Sequence, residues 1–218
     1  VGADVAEGIL QTDGKDPDSS SAHVINVRTG VVVAKLSGKM DTDLYGDQLA
    51  LLGLWYNTAL LAPEINNTMG GAVRETLKRW NYPNLYHTHR FEKVHSEQTD
   101  RIGWKTDRVT RGEMITELGK AIREGEIACY SEQSVHQCRT FIYDNRGKPI
   151  AQPGEHDDDV ISLAITWQMA VKLADAGEIT AEGPEVDPSE HLTFDERLCM
   201  TGAIDDFSDM EEDMEEDL

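Results

Sequence analysis

Three separate stretches of the sequence place carboxylates where solubility does not require them. Asp4 lies within the apolar segment at the start of the chain, and Glu64 lies in the otherwise apolar run 59–65. The third stretch, 157–159, is three aspartates directly before a long apolar segment. A buried carboxylate is costly unless it is paired or binds a metal, and hard oxygen ligands suit Mg²⁺ or Mn²⁺ rather than zinc. Together the three stretches predict a divalent-metal site.

Each stretch also has a purely structural explanation. Asp4 is consistent with a satisfied acid in or at the end of a strand, and Glu64 with an ion pair to a neighbouring arginine. The run 157–159 is consistent with a helix cap, since negative charge is favourable at a helix N-terminus. The metal interpretation therefore depends on whether the fold brings the three stretches together.

The elements that must position these acids follow from apolar periodicity and turn residues. Three antiparallel strands come first, because Thr29-Gly30 is typical of a hairpin turn. The predicted strands are 1–10, 23–27, 31–36, 59–65, 84–86 and 140–143, and the predicted helices are 42–57, 68–80, 110–124 and 157–176. Residues 87–107 indicate an exposed hairpin or loop. This order predicts an α/β sheet with helices on its faces, which brings strand one, the end of strand four and the last helix together.

Charge is unevenly distributed along the chain. The 41 acidic and 20 basic residues give a net charge of −21, which taken alone argues against a polyanionic partner. Residues 72–148, however, hold 14 of the 20 basic side chains and only 11 of the acids. Residues 205–218 hold nine acids and no base. The middle third therefore has the charge to bind nucleic acid, whatever the net charge of the whole.

The basic middle third supplies candidates for a sequence-tolerant grip on DNA phosphates. An ordinary solvated charge is the alternative for many of them. The candidates are Arg74, Lys78, Arg79, Arg90, Lys93, Arg101, Lys105, Arg108 and Arg111.

Other kinds of site are not indicated. The sequence has no G-x-x-x-x-G-K-[ST] loop and so no recognisable ATP site of that type. Its three cysteines lack zinc or disulfide spacing, which favours a reducing cytoplasm. No apolar run approaches the roughly 20 residues that span a membrane.

Four segments resemble the nuclease domain of bacteriophage terminase large subunits, which belongs to the ribonuclease H-like superfamily. They are Gly2-Ala3-Asp4-Val5-Ala6-Glu7-Gly8, Pro63-Glu64-Ile65-Asn66-Asn67, Gly103-Trp104-Lys105-Thr106 with Arg111, and His156-Asp157-Asp158. They follow the family's order over residues 1 to about 175.

The resemblance implies a central five-stranded mixed sheet flanked by helices. It also implies a metal-dependent endonuclease that cuts concatemeric viral DNA during genome packaging, using two Mg²⁺ or Mn²⁺ ions. Asp4, Glu64 and Asp158 match the family's acidic ligands, and Asp157 matches an adjacent acid. The family's further acid falls at Ile161, and an extra Asp159 is present instead, so Asp157 and Asp159 stay alternatives to Asp158.

The resemblance sets expectations about the nuclease domain and its partners, and composition sets those about the C-terminal residues. We expect a ribonuclease H-like nuclease domain over 1–176, a C-terminal extension over 177–204 and a disordered acidic tail over 205–218. The expected partners are double-stranded DNA, an ATPase motor domain of the same full-length protein, and the portal, small terminase or other packaging components, in the host cell cytoplasm and without a membrane. The alternatives are another ribonuclease H-like nuclease, of the resolvase or transposase kind, and a non-catalytic acidic packaging adaptor.

Overall fold

A four-stranded mixed sheet forms the centre of the structure. The computed structural model describes residues 1–6, 19–66, 68–90, 99–145 and 147–177. The strands are β1 (Gly2–Asp4), β2 (Ser20–Asn26), β3 (Val31–Gly38) and β4 (Ala62–Pro63), in the order β3-β2-β1-β4. Strand β1 runs antiparallel to β2 and parallel to β4, and β2 runs antiparallel to β3. The mixed sheet and the β2–β3 hairpin confirm the sequence prediction.

The expectation of a five-stranded central sheet is wrong for the described residues, and Pro63 explains the difference. On the edge of β4 away from β1, the backbone amides of Leu61 and Ile65 donate to the carbonyl oxygens of Asn84 and Trp104. The residue between them on this edge is Pro63, which has no N–H to donate. The fifth position is therefore divided between single bridges, Leu61 with Leu85 and Glu64 with Trp104.

The chain between these two bridges forms a separate hairpin. Its strands are β5 (His87–Arg90) and β6 (Thr99–Ile102), which pair antiparallel. The pairing of these two strands confirms a hairpin within the predicted range 87–107, of which residues 91–98 lie outside the described part of the chain. The predicted strand 84–86 is reduced to the bridge at Leu85.

Five helices are present in the described residues. They are α1 (Thr42–Trp55), α2 (Thr68–Arg79), α3 (Arg108–Glu124), α4 (Glu132–Arg139) and α5 (Asp158–Asp175). Four of them confirm predicted helices within a few residues. Helix α4 is not among the predicted elements, because its eight residues are mostly polar and carry little apolar periodicity. A second small hairpin, β7 (Phe141–Tyr143) with β8 (Pro149–Ala151), extends the predicted strand 140–143.

Side chains alternate between the two faces of β1. Val1, Ala3 and Val5 pack in the hydrophobic cluster that contains Tyr45 and Leu49 of α1. The intervening residues of the strand face α5, since the amide of Gly2 donates to Thr166 Oγ1 at 3.1 Å. A separate cluster joins α3 to α5. Asp4 therefore lies on the α5 face of the sheet.

Some predictions lie outside the described residues. The end of the predicted first strand, 7–10, is one of them, and the predictions for 178–204 and 205–218 are others. The domain boundary near residue 176 stays a prediction. Among the residues that the structure describes, none of the helices has the length and apolar character needed to cross a membrane.

The close approach of β1 to α5 makes a stability prediction at Gly2. A Cβ atom there would lie 2.3 Å from the backbone nitrogen of Thr166. Because backbone must move to admit it, Gly2→Ala should lower the free energy of unfolding by about 1–3 kcal/mol. Urea unfolding measures the change. The control is Gly112→Ala in α3, where a Cβ meets nothing within 4 Å and should stabilise by about 0.5–1 kcal/mol. Equal effects of the two substitutions would contradict the packing argument.

Candidate active site

Parallel pairing of β1 with β4 brings Asp4 and Glu64 together. The register joins Gly2 to Ala62 and Ala3 to Pro63, and the Glu64 amide donates to the Ala3 carbonyl at 2.8 Å. The two carboxyl groups follow at the same end of the sheet, close enough for the charge of Glu64 to raise the pKa of Asp4.

Helix α5 presents its N-terminus to this pair. Asp158, the first residue of α5, is 7% exposed, and its Oδ2 accepts from the Ser19 amide at 3.0 Å. Burial raises the pKa of Asp4 well above its ordinary value of 3.8, and the charges of Glu64, Asp158 and Asp157 raise it further. The fold therefore brings together acids from all three stretches that the sequence singles out.

Asp157 is held by an arginine of α3. Its Oδ2 lies 2.6 Å from Arg111 Nη2, and both side chains are partly exposed. Although Asp157 precedes the first residue of α5, its side chain makes no capping hydrogen bond. The helix-cap explanation therefore does not account for this carboxylate.

Glu64 is oriented through Asn66. The Asn66 amide Nδ2 donates to Glu64 Oε1 at 2.9 Å, and its Oδ1 accepts from the Thr106 backbone amide at 2.9 Å. Asn66 thus connects the carboxylate to the segment that leads into α3. Little in the sequence indicates this role, because asparagine is also common in turns.

Asp159 has a different environment from its two neighbours. Its Oδ1 accepts from Ser21 Oγ at 2.6 Å, and its Oδ2 accepts from Ser134 Oγ at 3.0 Å and Lys35 Nζ at 2.5 Å. The side chain is 1% exposed. Both oxygens are engaged by protein donors, which favours Asp158 over Asp159 as the acid that completes the site.

His23 extends the buried polar network around Asp159. Its ring nitrogens lie 2.8 Å from Ser162 Oγ and 2.9 Å from Ser134 Oγ. Burial lowers the pKa of His23 from 6.5 to about 4, so the ring is neutral at neutral pH. Ser21, Lys35 and Ser134 are not among the sequence candidates, since their types are ordinary for a strand or a helix surface.

The donor set fits a hard divalent cation. The carboxylates of Asp4, Glu64, Asp157 and Asp158 concentrate negative charge, which a divalent cation would balance. Among the described residues, no group of three or more His, Cys, Asp or Glu side chains forms a ready-made metal cage. The side chains must therefore rearrange to hold an ion.

The predicted DNA-binding residues fall into groups. Arg74 and Lys78 of α2 both pair with Glu75. Arg79 donates to Thr76 Oγ1. Arg101, Lys105 and Arg108 are exposed, and Arg111 faces Asp157. Lys93 and the side chain of Arg90 lie outside the described residues.

A groove of about 820 Å³ lies beside the acids. Asn66, Thr106, Arg108 and Arg111 line one part of it, and Lys148 of the β7–β8 hairpin lines another. Its Asp107 has a local role, since the carboxylate caps α3 by accepting from two backbone amides, which lowers its pKa. The groove thus offers cationic side chains next to Glu64 and Asp157, and Lys148 is not among the sequence candidates.

Comparisons with known proteins identify the fold. No family model matches the chain, and no curated protein matches it. The large terminase nuclease from thermophilic phage G20c superposes with a TM-score of 0.55 at 19% identity, covering 77% of this chain and 79% of that one. This chain has the fold of a large terminase nuclease. The resemblance stated from the four sequence segments is confirmed, although the central sheet has four strands rather than the expected five.

Two further structures are similar. The G20c large terminase nuclease with bound magnesium has a TM-score of 0.55 at 19% identity and covers 71% of this chain and 76% of its own. The Thermus phage P74-26 large terminase nuclease domain has a TM-score of 0.49 at 20% identity, covering 71% and 74%. The magnesium belongs to the G20c structure.

Charge repulsion in this terminase-nuclease fold predicts an unusual effect of removing a carboxylate. Because the pKa of Asp4 is raised in the folded protein, protonation of Asp4 favours folding. This contribution to stability is fully present below pH 3.8 and is lost as the pH rises through the raised pKa. Asp4→Asn should therefore stabilise the metal-free protein at pH 8 by on the order of 1–3 kcal/mol. The gain should shrink as the pH falls toward 4. Chemical unfolding in EDTA across this pH range measures it.

The matched control for this substitution is Asp175→Asn at the exposed other end of α5. It removes the same charge about 25 Å away along the helix, beyond the roughly 8–10 Å reach of exposed charges in salt. The stability of this variant should be unchanged. A destabilised Asp4→Asn variant at pH 8 would contradict the repulsion argument.

Proposed function

We propose that this chain is a ribonuclease H-like, metal-dependent DNA endonuclease that cuts concatemeric viral DNA during genome packaging. The observation that carries the proposal is the adjacent Asp4–Glu64 pair that the β1–β4 register creates, with Asp157 and Asp158 presented to it at the start of α5. Mutual repulsion among these carboxylates destabilises the folded protein unless a cation binds among them. The G20c nuclease that shares this fold has a structure with bound magnesium, which supports the same chemistry.

The residues have separate roles in this proposal. Asp4, on the interior strand β1, would contribute to both ions. Glu64 would hold one ion and Asp158 the other, with Asp157 as an additional ligand. Ions held by these residues would supply an activated water and would stabilise negative charge on the leaving oxygen.

The remaining side chains orient these ligands. Asn66 donates to one Glu64 oxygen, and the Ser19 amide donates to Asp158 Oδ2. Arg111 neutralises Asp157 until a cation takes its place. Because metal ligands must be deprotonated, binding of an ion would lower the raised pKa of Asp4.

DNA would reach these acids along the groove beside α3. Arg108 and Lys148 both line this groove, and Arg111 lines it as well while pairing with Asp157. Contacts of this kind go to phosphates, so they fix the strand without reading its sequence. Arg101 and Lys105 are exposed in the adjacent segment. The α2 cations are occupied locally by Glu75 and contribute less.

The wider setting is part of the same proposal. A large terminase nuclease works within a larger packaging machine, so we propose an ATPase motor domain in the same full-length protein. Portal and small terminase are the proposed partners, and the host cytoplasm is the proposed location. The resolvase-like and transposase-like alternatives share the metal chemistry, and the acidic adaptor leaves the Asp4–Glu64 pair without a purpose.

The proposal predicts metal-dependent cutting that depends on the paired acids. Supercoiled plasmid should be cleaved with Mn²⁺ or Mg²⁺ and left intact in EDTA. Asp4→Asn and Glu64→Gln should each lower the cleavage rate by more than about 100-fold, because even residues that only support metal ligands are worth 10–100-fold. Gel analysis of initial rates measures the effect.

Asp175→Asn, which lies at the far end of α5, should cut like the parent chain. Thermal shift with Mn²⁺ provides a second measurement, since binding to the native state raises stability by mass action. The shift should be present in the parent and absent in Asp4→Asn. Equal cleavage by the parent, Asp4→Asn and Glu64→Gln would reject the nuclease assignment, and a parent that binds DNA without cutting it would favour the adaptor.

The groove predicts a distinct effect on DNA binding. Arg108→Gln and Lys148→Gln should each weaken the binding of a DNA duplex, and each lost phosphate contact should reduce the salt dependence of log K by about 0.9. The control is Lys120→Gln, about 18 Å from Arg108 along α3, where the lysine pairs with Glu124. Fluorescence anisotropy at several salt concentrations measures both quantities. Equal losses in all three variants would point to general charge rather than the groove.

A further inference from the structure

The carboxylate of Asp159 is held by side chains from three different elements. Ser21 of β2 donates to Oδ1, and Ser134 of α4 and Lys35 of β3 donate to Oδ2. The Asp159 side chain is 1% exposed and that of Lys35 is 15% exposed. A buried ion pair of this kind is strongly destabilising when only one partner is removed. Asp159 therefore cannot turn toward the acids of the site without leaving a buried lysine unpaired.

Lys35 is itself held in place. Its Nζ also donates to Gln133 Oε1 at 2.9 Å. The backbone amide of Asp159 donates to Gln137 Oε1 at 2.8 Å, which satisfies one of the amides that the first turn of a helix leaves unpaired. Helix α4 thus contacts both ends of the ion pair and fixes the first turn of α5.

His23 gives this network a single direction of hydrogen bonding. Because Ser134 donates its proton to Asp159, its oxygen accepts from Nε2–H of His23. The ring nitrogen Nδ1 then accepts from Ser162. His23, Ser134, Asp159 and Ser162 are all buried, and each forms a hydrogen bond within the network. Fully satisfied polar networks of this kind make the surrounding structure rigid.

The start of β2 connects this network to the proposed catalytic acids. Ser21, which donates to Asp159, is the register partner of Asp4 in the sheet. Two residues earlier, the Ser19 amide donates to Asp158. Residues 19–21 therefore contact three aspartates, Asp4, Asp158 and Asp159, which come from distant parts of the sequence.

We propose that the buried hydrogen-bond network of the Asp159 side chain is a positioning device, which locks the first turn of α5 onto the start of β2 so that Asp158 faces Asp4. This inference rests on the proposed metal centre. It gives Asp159 a role different from that of its neighbours: Asp157 and Asp158 serve the ion, and Asp159 fixes their direction. Lys35 balances the charge of Asp159 within this network rather than belonging to the DNA surface.

Two double variants of equal net charge test the inference. Lys35→Met with Asp159→Asn, the amide variant, removes both charges and keeps the shape and hydrogen-bonding capacity at position 159. The carboxamide oxygen introduced there accepts from Ser21, its NH₂ group donates to Ser134, and His23 can adopt the other tautomer to complete the network. Lys35→Met with Asp159→Ala, the truncated variant, removes both charges and the anchoring hydrogen bonds as well.

Two measurements apply to each variant. Titration calorimetry with Mn²⁺ gives the metal affinity, and amide hydrogen exchange in EDTA reports whether Ser19 still donates to Asp158. The amide variant should bind Mn²⁺ within about 3-fold of the parent and protect Ser19 equally, whereas the truncated variant should bind about 10–100-fold more weakly. The truncated variant should also exchange the Ser19 amide at least about 10-fold faster, since a broken anchor lets the first turn open. Lys120→Met, on the exposed part of α3, should match the parent in both.

The outcomes separate the alternatives. If the amide variant loses as much affinity as the truncated variant, the Asp159 carboxylate is a metal ligand and the positioning role is overturned. If the truncated variant keeps both its Mn²⁺ affinity and its Ser19 protection, the Asp159 network only stabilises the core, and the positioning role is again overturned. Should the truncated variant fail to fold, the amide variant alone decides, because only a ligand role predicts its loss of Mn²⁺. A parent without Mn²⁺ affinity would reject the metal centre, and Ser19 exchange would still test the positioning.

Discussion

Repulsion among carboxylates is the constraint on which the rest of the structure depends. Parallel pairing of β1 with β4 forces Asp4 and Glu64 together, and α5 adds Asp157 and Asp158. Without a cation, burial and the neighbouring carboxylates raise the pKa of Asp4. The fold must therefore hold its acids in place against a force that would separate them.

The holding groups come from segments that are distant in sequence. The Ser19 amide holds Asp158, Arg111 holds Asp157, and Asn66 holds Glu64. The segment before α3 takes part in the last of these contacts, because the Thr106 amide donates to Asn66. Each acid is thus oriented by a different part of the chain. This explains why the segment from Gly103 to Arg111, which bears none of the site's acids, carries one of the four resemblances found in the sequence.

The acids and most of the elements could be predicted from the sequence because both depend on local patterns. Apolar runs that end in a carboxylate, such as Ala62-Pro63-Glu64, are visible in one dimension, and so are long amphipathic helices. The predicted number of strands is wrong because Pro63 divides the fifth position between two bridges, an effect of pairing partners rather than of propensity. Lys35 and Ser134 could not be predicted for a related reason. Their importance comes from contacts with Asp159 across 124 and 25 residues of chain, which no local pattern records.

The net charge of −21 does not show whether the protein can bind a polyanion, because it hides where the charges lie. The acids of the site lie next to a groove whose lining includes Arg108, Arg111 and Lys148. Arg111 belongs to both, since it lines the groove and pairs with Asp157 at 2.6 Å. Opposite charges this close create a steep local field, and such fields, rather than total charge, determine where a polyanion binds. In the proposed reaction the same guanidinium therefore meets both negative partners, the ligand acid and the phosphate of the strand to be cut.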